Sequence, residues 1–235
     1  MSDQIKSIAF SALVALVCGL LLTSAATGLK ERKLRNIAVD RQKNILKAVG
    51  LVDAEKMVTE DDIERLYAEN IRCYGLDGTG RIQTDASDPD RLPICFYIQE
   101  GGPAAYILPV NSRGLWGKIR GYMAIEKDGR TVAGFSVYSH NETPGLGGEI
   151  EKPWFQKNFI GKQIVDAQGA FSAVGIAKGQ SAEVIAADKQ TNYVDGISGA
   201  TLTGKYLTGG LKQVLTEYEV LSRQFRAGPV ELPVN

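Results

Sequence analysis

The hydrophobic pattern opens with an unbroken apolar run. Residues 7–29 (SIAFSALVALVCGLLLTSAATGL) carry no ionisable group except the Cys18 thiol. A helix rising about 1.5 Å per residue over that length crosses a hydrocarbon layer of roughly 30 Å. Residues 7–29 therefore read as a transmembrane helix, with 1–6 as a short N-terminal flank. The small residues Ser24, Ala25 and Ala26 would also suit signal-peptide cleavage. A retained anchor is favoured because the helical pattern runs on through KERKLRNIAVDRQKNILKAV. There, over 30–49, Leu34, Ala38, Ile45, Leu46 and Val49 fall on one side of a juxtamembrane helix.

Residues 50–235 read as one α+β domain. Thr59 is placed to cap a helix whose first turn is acidic, with Ile63, Leu66, Tyr67 and Ile71 at helical spacing. GLDGTG at 75–80 is a turn, ICFYIQ at 94–99 a strand, and AAYILPV a further strand. The clearest alternation spans 118–140, two strands joined through the Asp-Gly turn of KDGR. NETPGLGGEIEKPWF is too rich in Gly and Pro for a regular element, and FSAVGIAKG reads as another strand. Leu207, Leu211, Val214, Leu215, Tyr218 and Leu221 mark one amphipathic C-terminal helix. Strands in series with helices before and after imply an antiparallel sheet flanked by helices.

Charge narrows the partners. Lys plus Arg and Asp plus Glu number 27 each in 235 residues, so there is no basic surplus to neutralise a nucleic-acid backbone. One His, three Cys and no CxxC make a zinc or iron–sulfur site built from this chain alone a poor reading. Cys73 and Cys95 would pair in an exported domain or remain two buried thiols. Lys6 stands alone before the apolar run, whereas Lys30, Arg32, Lys33 and Arg35 follow it. Read literally, the positive-inside rule keeps the large domain in the cytoplasm, but the rule weakens for long translocated domains.

Four stretches could carry chemistry. DGISGATLTG, at 195–204, leads into the C-terminal helix. Exposed N–H groups at a helix start attract phosphate, Gly199 would let an anion approach, and Ser198 and Thr203 could donate to it. The plainer alternative is a capped helix start with Ser198 as the N-cap. Neither the G-x-S-x-G elbow nor a Walker loop is present. HNETPGLGGE is either an irregular surface loop or a backbone cradle for a flat ligand. In the second case Leu146 would meet a ring face, and Glu142 and Thr143 its polar edges. Trp116, in RGLW, is a core residue or a cofactor platform. Lys178 is a solvated cation or a stabiliser of an anionic ring edge.

Taken together these stretches resemble a known family. DGISGAT resembles the motif in which FMN is esterified to a threonine. RGLWGKIRGYMAIEKDG, ETPGLGGEIEKPWF and FIGKQI are similar to the C subunit of the Na+-translocating NADH:quinone reductase, over nearly the whole chain. The resemblance implies covalent FMN on Thr201, delivered from FAD by a separate transferase that uses a divalent metal. Asp195, Gly199 and Ala200 would be partly recognition features for that transferase, with Ser198 and Thr203 beside the phosphate. Glu142, Thr143, Leu146 and Gly147 would be the flavin-contacting loop, with Trp116 and Lys178 nearby. It further implies a single-pass inner-membrane subunit with its flavin domain in the periplasm. That subunit would pass electrons singly between other membrane subunits, with no NADH site of its own. The homologous G subunit of the ferredoxin-linked complex shares the motif. A non-covalent phospholigand module and a purely structural subunit are the readings from other classes.

Overall fold

A computed structural model of the chain describes residues 3–53, 57–85, 88–100 and 102–233. Met1 and Ser2 of the N-terminal flank lie outside the described residues. The chain divides into two compact units, Met1–Asp40 and Arg41–Asn235.

The first unit holds helix α1, Asp3–Gly28, and the start of α2, Lys30–Ala48. None of the residues of α1 is buried, and its composition and length suit a membrane crossing. The backbone stays helical across the join, since Leu29 N–H donates to Ala25 O at 3.0 Å and Lys33 N–H to Leu29 O at 2.9 Å.

The second unit begins within α2 and continues through α3, Glu60–Asn70. Thr59 caps α3 as its sequence requires, accepting the Asp62 N–H at 3.2 Å. Six strands follow: β1 Ile71–Leu76, β2 Ile82–Gln83, β3 Leu92–Gln99, β4 Gly102–Arg113, β5 Lys118–Glu126 and β6 Val132–Ser139. They form one antiparallel sheet in the order β2-β1-β3-β4-β5-β6. The α+β class and the flanking helices read from the sequence are what the chain adopts. Cys73 and Cys95 face each other in the β1–β3 register and are disulfide-bonded.

The β5–β6 turn differs in detail from a two-residue Asp-Gly hairpin. Only Gly129 has a positive φ, +66°. Its N–H donates to Glu126 O at 3.0 Å, and Asp128 Oδ1 accepts the N–H groups of Arg130 and Thr131. The primed turn needs positive φ at two residues. Here a wider turn with one left-handed glycine satisfies the same strands.

Beyond the sheet come a 3-10 turn, Gly147–Glu151, and a short helix α4, Pro153–Lys157, where the sequence pattern showed no regular element. FSAVGIAKG yields only the two-residue strand β7, Gly175–Ile176. After α5, Ser181–Val184, and a 3-10 segment at Ala187–Asn192, β8, Tyr193–Val194, pairs parallel with β7. The final helical stretch is two helices, α6 Thr201–Glu217 and α7 Glu219–Ala227. The expected single helix breaks at Tyr218, which is 2 % exposed and donates its hydroxyl to Pro93 O at 2.6 Å. Fixing that side chain on β3 bends the path.

One face of the sheet forms the main core. Tyr106, Leu108, Val110, Ile119, Met123 and Ile125 pack with Leu207, Leu211 and Leu215 of α6 and with Phe225 of α7. Tyr106 stacks on Phe225 with centroids 4.8 Å apart. Burying such side chains stabilises the domain by about 1.5–3 kcal/mol each. On the opposite face, Ser136 Oγ donates to Asn44 O at 2.9 Å, holding the end of α2 against β6. Two contacts set the position of α6. Thr208 Oγ1 accepts the Ile176 N–H at 2.9 Å, and Ser112 Oγ donates to Tyr206 O at 3.0 Å. Together they present the first turn of α6 beside the β4–β5 loop.

Candidate functional site

Two turns of the same form frame the site. In Thr143-Pro144-Gly145-Leu146 the Leu146 N–H donates to Thr143 O at 3.2 Å, and Gly145 has φ +74°. In Ile197-Ser198-Gly199-Ala200 the Ala200 N–H donates to Ile197 O at 3.1 Å, and Gly199 has φ +73°. Each glycine occupies the third turn position, where a type II turn needs a positive φ. The consequence in the second turn corrects one expectation. The helix cap is Ala200, not Ser198, and no side chain caps α6. Ser198 is carried to an exposed corner by the turn that Gly199 completes.

An alanine cap leaves the first N–H groups of α6 without a side-chain acceptor, and no acidic residue lies in that first turn. Both features keep the positive end of the helix available to an anion. Thr201 is the first residue of α6 and is exposed. No histidine or carboxylate is bonded to its hydroxyl among the described residues.

Thr201 lies on the rim of a cleft of about 150 Å³. Its lining brings together Trp116, Glu142, Thr143, Leu146, Gly147, Gly199, Ala200, Thr201 and Thr203, nine of the residues singled out in the sequence. Trp116 is 67 % exposed, so it is a wall of this cleft and not a core residue. Leu146 overhangs the second turn closely enough that a Cβ on Gly199 would meet its Cδ2 at 2.7 Å.

The floor is polar and buried. Glu142 is 4 % exposed and Thr203 2 %. Glu142 Oε1 accepts the Trp116 N–H at 3.0 Å, and Thr203 donates its hydroxyl to Glu142 Oε2 in a short bond. One carboxylate thus ties the β4–β5 loop, the 140–147 loop and the start of α6 together. Gly147 is required here, because a Cβ would stand 2.5 Å from Thr203 Oγ1. The single histidine supports the same loop. Glu142 N–H donates to His140 Nδ1 at 3.1 Å, which puts the ring proton on Nε2, 3.2 Å from Glu151 Oε2.

Besides Ser198 at its exposed corner, two more of the expected residues stand outside the cleft lining. Asp195 Oδ1 accepts the Ser181 N–H at 2.7 Å and the Ser181 hydroxyl at 2.6 Å. The hydrogen bond from the Ser181 side chain holds the Asp195 carboxyl below its usual range. Asp195 thus ties the start of the motif to Ser181 at the head of α5 and does not line the cleft. Lys178 is exposed and lines a separate small recess behind Thr201, with Ile176, Ile197, Phe155 and Gly204. Sequence reasoning missed Leu115 and Leu202, which also line the main cleft. Leu202 had a signal: it is out of phase with the buried stripe Thr203, Leu207, Leu211 and Val214.

The arrangement suits a flat apolar ligand carrying an anionic group. Trp116, Leu115, Leu146 and Leu202 offer exposed apolar surface, and the uncapped helix start offers an anion site beside a hydroxyl. Comparison with known proteins agrees. The FMN-binding domain family matches residues 114–216, the segment from the β4–β5 loop to the end of α6. The C subunit of the Na(+)-translocating NADH-quinone reductase from Pseudomonas aeruginosa is 34 % identical over 231 residues, covering 85 % of this chain and 87 % of that one. The C subunit from Vibrio campbellii is 33 % identical, covering 83 % and 84 %. The crystal structure of the C subunit from Parabacteroides distasonis superposes with a TM-score of 0.70 at 29 % identity, covering 83 % of this chain and 96 % of that one. Sequence, fold and the matched segment around the cleft thus converge: the chain belongs to the family of C subunits of the Na+-translocating NADH-quinone reductase and carries that family's FMN-binding domain.

Proposed function

We propose that the chain is a single-pass membrane subunit that relays electrons through FMN held by a phosphoester bond to Thr201. The observation that carries this reading is the placement of Thr201. Its hydroxyl is exposed at the first residue of an uncapped helix, on the rim of an apolar cleft, with no base of its own. A hydroxyl so placed is an acceptor for an external enzyme and a poor self-activated nucleophile. An FAD-dependent flavin transferase would join Thr201 Oγ1 to the phosphorus of the FMN half of FAD. The bond to the AMP half breaks, AMP leaves, and the threonine proton passes to the transferase or to solvent.

FMN, when bound, supplies reversible one-electron chemistry. The protein supplies position and electrostatics. The first turn of α6 would face the phosphate charge, and Trp116, Leu146 and Leu202 would shield the ring from water. Glu142 fixes the two walls through Trp116 N–H and Thr203, and Thr143 stands at the rim for a polar edge. Ser198 and Gly199 shape the turn that the transferase must recognise, and Asp195 stands just before it, tied to Ser181. Lys178 adds positive charge behind Thr201. Electrons would enter from and leave to partner subunits of the same complex.

The domain is read as periplasmic in a bacterial inner membrane. The Cys73–Cys95 bond supports that side, because disulfides persist in oxidising compartments. Intact mass tests the central claim. Chain co-expressed with a flavin transferase should gain the mass of FMN less water, through denaturation, and Thr201→Ala should gain nothing. If the wild type shows no gain while the same transferase modifies a control protein, the covalent relay is wrong.

A further inference from the structure

The join between α1 and α2 carries a second kind of site. Lys30, Arg32, Lys33 and Arg35 are all exposed, and Glu31 is the sole acid between positions 3 and 40. At about 100° per residue the four cations stand near 0, 200, 300 and 140° around the helix axis. They ring the helix and leave no single charged face, which is the wrong layout for one acidic helix or strand lying alongside.

Length decides what the ring meets. Residues 7–29 span about 34 Å as helix, enough to cross a hydrocarbon core of roughly 30 Å. The following stretch from Lys30 to Arg35 rises about 8 Å, which matches one headgroup layer of roughly 5–8 Å. The cations therefore fall at the depth of the phosphates on the side of the large domain. Their excess on that side, which the positive-inside rule does not favour for a translocated domain, needs a physical role. We infer that Lys30, Arg32, Lys33 and Arg35 form a collar that gathers anionic phospholipid headgroups around the helix. Glu31 reduces the collar to a net charge of about +3, which is still strongly attractive at a headgroup surface. The inference rests on membrane anchoring and is independent of the flavin on Thr201.

The test uses the full chain, with or without FMN, in nanodiscs of equal phosphatidylglycerol and phosphatidylcholine. Lipids retained on the released protein are counted by native mass spectrometry. Each basic residue at a headgroup surface favours an anionic lipid on the order of 5-fold. The wild type should therefore retain phosphatidylglycerol over phosphatidylcholine at a ratio of about 5:1 or more, against 1:1 in the bulk, at low salt, and less as salt shortens the screening length. Replacing all four with Gln should return the ratio to bulk, while Lys→Arg and Arg→Lys exchanges should preserve it. A wild-type ratio equal to bulk would overturn the collar. So would enrichment unchanged in the Gln variant, enrichment indifferent to salt, or a mature chain cleaved near Ser24–Ala26.

Discussion

Thr203→Val probes the buried tie beneath the cleft. Valine keeps the shape and deletes one hydroxyl. Thr203 and Glu142 are 2 % and 4 % exposed, so water cannot replace the lost donor without rearrangement. A hydrogen bond to a charged group contributes about 1.5–3 kcal/mol, and an orphaned buried carboxylate oxygen places the cost at the upper end. With a urea m-value near ~2 kcal/mol/M, the unfolding midpoint should fall by about 1 M. Thr203→Ser keeps the donor and loses only a methyl, so it should cost about 1 kcal/mol. The assay is urea unfolding of the detergent-solubilised chain followed by tryptophan fluorescence. Trp116 reports locally, because its N–H shares the same carboxylate, and acrylamide should quench it more readily in Thr203→Val. A midpoint shift below about 0.2 M, with quenching unchanged, would show that Glu142 does not depend on Thr203, and the three-loop tie would be abandoned.

Two further predictions follow from the backbone and the sheet. Gly199→Ala must adopt φ +73° and set a Cβ 2.7 Å from Leu146 Cδ2. It should cost about 1–2 kcal/mol in the turn and slow FMN loading by a transferase, measured by in-gel flavin fluorescence against time; loading at the wild-type rate would remove the turn from the acceptor geometry. Reducing the Cys73–Cys95 bond, or replacing both cysteines by serine, opens a loop of sequence separation 22. The domain should lose about 3 kcal/mol on the chain-entropy model, read as a lower denaturation midpoint with reductant, and a midpoint indifferent to reductant would contradict a stabilising role.

Much of this protein was legible where the causes are local. The apolar run at 7–29 and the acidic first turn after Thr59 each depend on neighbours within a few residues, and each took the form its sequence implies. The strand alternation at 118–140 was equally readable, because burial on one face imposes period two. The motif around Thr201 was visible too, through composition and resemblance.

Distance in the chain is what the sequence could not bridge. Glu142 reads as one acid in a glycine-rich loop. Its meaning comes from partners 26 and 61 residues away, which meet it only after β5, β6 and α6 have packed. Ser198 looked like a helix cap because serine favours that role, but the left-handed Gly199 after it moved the cap to Ala200. Tyr218 fitted a helical stripe and instead divides two helices, since its hydroxyl finds Pro93, 125 residues earlier. Cys73 and Cys95 became a pair through the register of β1 against β3. The sequence by itself determined the apolar N-terminal helix and the class of fold, because those follow from local pattern, and it marked the stretch around Thr201 through its resemblance to a known motif. Only the tertiary structure decided which residues wall, brace and leave open the cleft, because those roles are set by contacts between segments far apart in the chain.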